Sequence, residues 1–294
     1  MPAFNHRMDT RNVIRRHQLS QTPVPLPQSR RERSTEVPKM PATDTQTHCP
    51  NLVTVASTSG GIGSSTLSAM LAAEMDRRSH TCALVDADFN GGGIDVLLGL
   101  EGEAGLRFES VNAPLGRIDG QALNHELPRW GRIGVLSFDP WNGTPPDAWE
   151  TEAVVRALCG ANHVVIADVG RVVDPLPIPD AVDGVLVLAI ELSVLGVARG
   201  KTWLDGVRDD ISSQRVVVVG AYPHGSPTRG IVSESEAEEY LGRSVSMGIR
   251  HDRHLHGDML EGLGIRTMMR HNRRAVRHLA DLIEPMLVRD DVDE

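Results

Sequence analysis

A turn rich in glycine and serine lies between a short apolar run and a helical pattern, at residues 57–66. Three glycines in such a turn allow successive backbone N–H groups to face one anion, and the start of a helix adds a partial positive charge. A serine or threonine at the end of the turn can place its hydroxyl on a phosphate-bound Mg²⁺ ion. The pattern therefore predicts a phosphate-binding loop. Its predicted contact residues are Gly60, Gly61, Ile62, Gly63, Ser64, Ser65 and Thr66.

The loop lacks the lysine that normally reaches the β and γ phosphates, because Ser64 stands at that position. Phosphoryl transfer depends on positive charge around the transferring group. We therefore expect nucleotide binding to be weak or absent and hydrolysis to be slow or absent. The chain has lysine only at Lys39 and Lys201, and the sequence before Lys201 is not a phosphate loop. Arg171 could supply the missing charge, but an ordinary surface arginine is the simpler interpretation.

Three aspartates follow predicted strands, and each is a candidate for the same site. Asp86 and Asp88 come directly after an apolar run, and Asp168 ends another one. Carboxylate oxygens suit Mg²⁺, and the carboxyl ends of parallel strands meet at one edge of a sheet. Aspartates at strand ends are also common caps and turn formers. Both interpretations are open from the residues alone.

The elements that would position these groups alternate between apolar runs and helical patterns from residue 51 onward. This alternation predicts an α/β fold with a doubly wound, mainly parallel sheet and helices on both faces. The expected strands are 51–56, 82–87, 133–137, 163–168, 184–190 and 215–221. The expected helices are 65–78, 147–159, 196–211, 233–241 and 272–288. Residues 108–128 and 174–179 are expected to be loops.

The loop, the segment Ala83–Leu100 and the strand around Asp168 together resemble the MinD/ParA family of P-loop NTPases, over residues 51–285. That family has a deviant Walker A loop with two lysines, and Ser59 and Ser64 replace both of them. The resemblance is closest to the CpaE/TadZ pilus-assembly and septum-site branch. It implies Mg²⁺ contacts, direct or through water, for Ser65, Asp86 and Asp168. It also implies that Asp88 orients the attacking water if the protein is active.

The resemblance implies ATP and Mg²⁺ as cofactors, a homodimer, and a role in placing a cellular machine. Its partners would be proteins of a Flp/Tad-type pilus, a secretion system or the division apparatus. The location would be the cytoplasm, with polar, septal or peripheral placement at the inner membrane face. An active ATPase in division or DNA segregation is the first alternative. The second is an NAD(P)-dependent Rossmann oxidoreductase, because Gly61-Ile62-Gly63 followed by Asp86 partly matches a dinucleotide loop.

Composition divides the chain into three parts. Residues 1–50 are rich in Pro, Gln, Ser, Thr and Arg and predict a disordered basic tail. Residues 51–288 would form the P-loop domain, and residues 289–294 an acidic tail. No apolar run reaches the ~20 residues of a transmembrane segment. Three distant cysteines suggest neither a disulfide framework nor a zinc site.

The segment from Arg250 to His278 is rich in arginine and histidine, although the chain carries a net charge of −9. A basic surface there would allow weak, non-specific contact with DNA or an anionic membrane surface. The other interpretation is the solvated face of an amphipathic helix. His251, His254 and His256 have no spacing that defines a metal site.

Overall fold

The computed structural model describes residues 49–111, 117–139, 143–172, 178, 184–206, 215–224, 230–265 and 268–287. The chain divides by its contacts into Met1–Thr45 and Gln46–Glu294, and the first unit lies outside the described residues. The predicted loop 174–179 lies outside them except for Ile178, and the acidic tail 289–294 lies outside them entirely. The predicted boundaries of tail and domain therefore stay predictions.

The described residues form one eight-stranded sheet with the order β3-β4-β2-β5-β1-β6-β7-β8. All neighbouring strands are parallel except the pair β3 and β4. The strands are Leu52–Ser57 (β1), Cys82–Asp86 (β2), Arg129–Trp130 (β3), Ile133–Leu136 (β4), Val164–Arg171 (β5), Val185–Glu191 (β6), Val216–Ala221 (β7) and Val245–Ile249 (β8). Runs of buried valine and other apolar residues explain why the central strands form, since both faces of the sheet are covered.

Eight α-helices occur in the described residues, with short 3₁₀ helices at Phe108–Ser110 and Glu284–Met286. The α-helices are Ser64–Arg77 (α1), Ile94–Leu98 (α2), Gly120–Glu126 (α3), Ala148–Ala161 (α4), Val194–Gly206 (α5), Glu234–Leu241 (α6), Arg253–Leu260 (α7) and Arg270–Ile283 (α8). None of these described helices has the length and apolar content that a membrane crossing requires.

Two hydrophobic cores cover the two faces of the sheet. One contains buried residues of α1, α2 and α8, and the other contains buried residues of α3, α4, α5 and α6. Within β5 the side chains alternate, because Ile166 belongs to the first core whereas Val165 and Ala167 belong to the second. The predicted doubly wound α/β fold is confirmed. Each predicted strand and helix is found with shifts of a few residues at its ends, except that residues 207–211 of the predicted helix 196–211 lie outside the described residues.

The expected loop at residues 108–128 is wrong, because this segment contains a 3₁₀ turn and α3. The Asp119 carboxylate caps α3 by accepting hydrogen bonds from the N–H groups of Gln121 and Ala122, at 2.9 and 3.1 Å. Leu123 and Leu127 are buried in the core. Two apolar residues are too few to show a helical period in the sequence, so tertiary burial reveals this helix.

The strand order separates this fold from the dinucleotide-binding order. β1 lies between β5 and β6, and β2 pairs with β4 and β5. In the dinucleotide-binding order, the first two strands are adjacent. The partial match of Gly61-Ile62-Gly63 and Asp86 to a dinucleotide loop therefore lacks the topology that this loop requires.

Candidate functional site

The loop between β1 and α1 has the backbone geometry of an anion cradle. Gly61 and Gly63 have φ values of +74° and +89°, in the left-handed region that favours glycine. Gly63 precedes α1, and its carbonyl accepts a 2.9 Å hydrogen bond from the N–H of Leu67. No side chain caps α1. The first N–H groups of the helix therefore point outward with no intrahelical partner, as an anion site requires.

Ser59 and Ser64, which stand where the resembled family has lysines, lie in this loop and carry no charge. Ser59 is buried, with 6 % of its surface exposed, and Ser64 is half-buried. The Oγ atom of Ser59 accepts a hydrogen bond from Nη1 of Arg199 on α5, at 3.4 Å. Among the described residues, this long bond is the hydrogen bond that a cationic side chain makes to the loop. Arg171, interpreted above as a surface arginine, is exposed at the end of β5 and lines the adjacent cleft.

Asp86 and Asp168 are direct neighbours on β2 and β5, and each has 1 % of its surface exposed. One oxygen of Asp86 accepts a 3.1 Å bond from the N–H of Ile94, the first residue of α2, and the other accepts a 3.3 Å bond from the N–H of Asp88. The pKa of Asp86 is raised to about 8, mainly by burial and also by the charge of Asp168, whereas the Ile94 bond acts to lower it. Asp86 thus links the sheet to α2.

The pKa of Asp168 is also raised, to about 6, chiefly by burial. Hydrogen bonds from the Ser65 hydroxyl and from the N–H of Gly170 act in the opposite direction. The N–H of Gly170 donates to Oδ1 of Asp168 at 3.2 Å. Ser65, Asp168 and Asp86 therefore form one group of oxygen atoms behind the phosphate loop.

Asp88 differs from the other two carboxylates because it is half-buried and lines the cleft. Its Oδ1 accepts a 2.9 Å bond from the N–H of Gly91. Its other oxygen packs so tightly against Gly170 that a Cβ atom there would lie 2.1 Å from it. Gly170 has φ +62°, so this position both requires glycine and fixes Asp88 beside the loop.

The cleft has a volume of about 500 Å³, within the range of small-molecule sites. The predicted phosphate-binding residues, from Gly60 to Thr66, all line it, as does Asp88. Asp86 and Asp168 do not line it and lie beneath its floor. The structure thus brings every predicted site residue into one region.

The three side chains predicted to hold Mg²⁺, those of Ser65, Asp86 and Asp168, all offer oxygen atoms, which suit a hard cation. The hydroxyl of Ser65 bonds to Asp168, and Asp86 stands beside it on the next strand. These residues fit Mg²⁺ held directly or through water. Among the described residues, no group of three or more His, Cys, Asp or Glu side chains forms a metal site by itself. A phosphate in the cradle would have to complete the coordination.

The sequence interpretation missed the second wall of the cleft. Residues after β7 and β8 and at the start of α7 and α8 form it: Tyr222, His224, Ile249, Arg250, His251, Asp252, Leu255, His256, Met259 and Asn272. β8 was not predicted, because its short sequence includes serine and glycine. Had it been predicted, the polar run after its end would have been an obvious candidate, since ligands bind at the carboxyl ends of parallel strands.

The arginines of α8 lie on its exposed face. Arg270, Arg273, Arg274 and Arg277 are exposed, whereas Val276, Leu279 and Ile283 are buried against the sheet. This is the arrangement of an amphipathic helix. It leaves a basic surface available to an anionic partner, so both interpretations given above remain compatible with the structure.

Residues 48–120 match the ParA family model, described as NUBPL iron-transfer P-loop NTPase. The chain is also 34 % identical over 123 residues to the uncharacterized protein Rv3660c of Mycobacterium tuberculosis H37Rv. That match covers 42 % of this chain and 34 % of the relative. The chain therefore spans about a third of the length of the curated relative that it matches.

Solved structures with the same fold include the ParA family ATPase from Chlorobium tepidum TLS, with a TM-score of 0.64, 15 % identity, and coverage of 79 % of this chain and 98 % of that one. MinD in the MinC:MinD cell division complex of Aquifex aeolicus has a TM-score of 0.63 and 13 % identity, with coverage of 83 % of this chain and 99 % of that one. The septum site-determining protein MinD with Mg-ADP from Pyrococcus horikoshii OT3 has a TM-score of 0.57 and 13 % identity, with coverage of 79 % of this chain and 94 % of that one. The family model matches residues 48–120 alone, and these structures, all under 25 % identical, show that the chain shares the fold of ParA and MinD proteins.

Proposed function

We propose that this protein is a MinD/ParA-type positioning protein whose nucleotide site has lost its lysines and hydrolyses ATP slowly or not at all. Within the family, we propose the CpaE/TadZ-like branch, which places a Flp/Tad-type pilus, a secretion assembly or a division site. The observation that carries the proposal is a phosphate loop with a complete backbone cradle and with serine at both lysine positions, Ser59 and Ser64.

The cradle supports binding, because the helix start and the outward N–H groups attract an anion without any side-chain charge. Mg²⁺, when bound, would neutralise phosphate charge, and Ser65, Asp86 and Asp168 would hold it. Asp88 would orient a water molecule beside the phosphate, since it lines the cleft next to the loop.

The missing lysines act against turnover. A charge-assisted contact to the transferring group contributes about 2–4 kcal/mol in comparable sites. Arg199 makes a 3.4 Å bond to Ser59 but does not line the cleft, and Arg171 lines the cleft as an exposed side chain. We therefore favour a nucleotide-sensing or nucleotide-insensitive scaffold over an active ATPase.

The proposed assembly is a homodimer that works with proteins of a pilus, secretion or division machine. The MinC:MinD complex shows that a protein of this fold binds a division partner. We propose a cytoplasmic location, with polar, septal or peripheral placement at the inner membrane. A weak contact of the exposed α8 arginines with DNA or an anionic membrane would assist that placement.

The first test is calorimetric titration of the full chain with ATP and Mg²⁺, in the wild type and in Ser64→Lys. We expect weak or undetectable binding by the wild type and affinity at least tenfold higher in the variant, since the lysine restores a contact worth about 2 kcal/mol or more. Ser244→Lys is the matched control, because Ser244 is exposed and lies outside the cleft. Equal affinity of all three proteins would contradict the proposal that this is a phosphate loop without its lysine.

The second test is steady-state phosphate release, with Asp88→Ala as the control. We expect no release above background in the wild type. Mg²⁺-dependent release that Asp88→Ala abolishes would instead establish the active ATPase. Binding of a reduced nicotinamide cofactor would favour the oxidoreductase alternative, against which the strand order already argues.

A further inference from the structure

A group of cationic and titratable side chains lines the cleft on the wall away from the phosphate loop. His224 follows β7, Arg250 and His251 follow β8, and His256 lies on α7. The rings of His224 and His251 have centroids 4.3 Å apart, and those of His251 and His256 are 5.5 Å apart. Three separate parts of the sequence thus bring potential positive charge to one end of the cavity.

The nearby carboxylates do not neutralise this group. Asp252 is buried and accepts hydrogen bonds from the N–H groups of Met269, His254 and Leu255, at 2.7, 3.1 and 3.3 Å. Its charge therefore stabilises the start of α7 and the turn before α8.

The carboxylate of Glu234 is also hydrogen-bonded within the protein. Its Oε1 accepts bonds from the N–H of Gly248 and the hydroxyl of Tyr222, at 2.7 and 3.3 Å. Within the described part of the chain, Arg250 and the three histidines form no ion pair.

Arg250 is held in place rather than free in solvent. The side chain of Asn272, itself 1 % exposed, accepts a 2.9 Å bond from the N–H of Arg250 and donates a 2.7 Å bond to its carbonyl. The guanidinium lies over the ring of Tyr222, with Cζ 5.0 Å from the ring centroid. Because both contacts already restrict Arg250, less of its conformational entropy would be lost when an anion binds.

This wall is poorly suited to a neutral base. Arg250 already covers one face of Tyr222, so a base that stacked on that face would displace the guanidinium. An anion, by contrast, would meet Arg250 and the histidines without displacing any observed contact.

We propose that Arg250, His224, His251 and His256 form a second anion-binding site, so that the cleft prefers a small molecule with phosphate groups at both ends. This inference rests on the proposed function, because the first phosphate is assigned to the loop. The ligand class is a nucleotide phosphorylated on its ribose as well as on its 5′ chain.

Binding of such a ligand should take up protons. Burial, the neighbouring His224 and His256, and Arg253 all lower the pKa of His251, and Asp252 acts weakly in the opposite direction. On the other side of the cleft stand Arg171 and Asp88. A phosphate beside the histidines would favour their charged forms, so affinity should rise between pH 8 and pH 6.

The test compares ADP with adenosine 3′-phosphate 5′-diphosphate, which differ by one phosphate, in calorimetric titrations of the full chain with Mg²⁺. We expect the second ligand to bind about fivefold to tenfold more tightly at pH 6.5, as one added contact with partly exposed cations would give. Titration in two buffers of different ionisation enthalpy should reveal proton uptake for this ligand.

Arg250→Gln and His251→Gln should remove this preference, and His251→Gln should reduce the proton uptake. Arg274→Gln and His254→Gln are matched controls, because both residues are exposed and neither lines the cleft. Comparing each variant with the wild type on the same ligand cancels the titration of the ligand itself.

The outcomes separate this inference from the proposed function. A preference that Arg250→Gln removes and the controls keep would support the second site. Equal binding of the two ligands, or a preference unchanged in Arg250→Gln, would overturn the second site and leave the phosphate loop intact. Failure of both ligands to bind at pH 6.5, in the wild type and in Ser64→Lys, would overturn both.

Discussion

Replacing Asp86 by asparagine is expected to stabilise the Mg²⁺-free protein at neutral and higher pH. The pKa of Asp86 is raised from 3.8 to about 8, chiefly by burial and also by the charge of Asp168, whereas the Ile94 N–H acts to lower it. Between these two pH values the folded state retains a proton that the unfolded state has released. Stability of the wild type therefore falls as pH rises through this window, and asparagine has no proton to lose.

The size of the effect follows from the pKa of Asp86 and its two hydrogen bonds. A pKa raised from 3.8 to about 8 opposes folding by about 5 kcal/mol at pH 8 and by about 2 kcal/mol at pH 5. Asparagine offers one acceptor oxygen to the N–H groups of Ile94 and Asp88, which costs about 1–3 kcal/mol. The net gain should be about 2–4 kcal/mol at pH 8 and about zero at pH 5. At about 2–4 °C per kcal/mol, Tm should rise by about 5–15 °C at pH 8.

The assay is thermal denaturation followed by circular dichroism between pH 5 and pH 8.5, with EDTA present. Asp86→Asn and wild type should have similar Tm values at pH 5 and diverge as pH rises. Glu101→Gln is the control, because Glu101 is an exposed carboxylate in a turn, and its Tm should follow that of the wild type. A Tm for Asp86→Asn that is lower than the wild type by the same amount at every pH would refute the reasoning.

Two further substitutions test the supports of the site. Gly170→Ala should lower the free energy of unfolding by about 1–3 kcal/mol, because φ is +62° and the new Cβ would lie 2.1 Å from Oδ2 of Asp88. Gly160→Ala is the control, because no atom lies near its Cβ. Equal denaturant midpoints of the two variants would contradict the tight packing at Gly170. Arg78→Met should lower stability by about 1–3 kcal/mol, because the 16 % exposed Arg78 side chain joins α1 to Asp281 and neighbouring acceptors at the end of α8. A loss that does not shrink in 1 M salt would show that the Arg78 contribution is packing rather than charge.

Much of the fold could be predicted because its signals are local. The buried valine-rich strands around β1, β5 and β6 are continuous apolar runs, since helices cover both faces of the sheet. α2, α3, α7, β3 and β8 were not predicted. Each of them is eight residues or shorter, so the sequence contains too little periodic signal.

The sequence by itself determined the conformation of the loop that we propose binds phosphate. Gly61 and Gly63 adopt backbone conformations that favour glycine, and the start of a helix orients N–H groups toward an anion whatever surrounds it. The serines Ser59 and Ser64, at the positions where the resembled family has lysines, are also read directly from the sequence. These features are local, because they depend on residue type and on the order of a strand, a turn and a helix.

Only the tertiary structure decided what faces that loop. The raised pKa of Asp86 results from its burial beside Asp168, which lies 82 positions further along the chain. The second wall of the cleft, with Arg250 and His224, comes from the ends of two adjacent strands. Charge and burial depend on distance in space rather than in sequence, so the pairing of strands had to be known before these groups could be recognised as parts of one site.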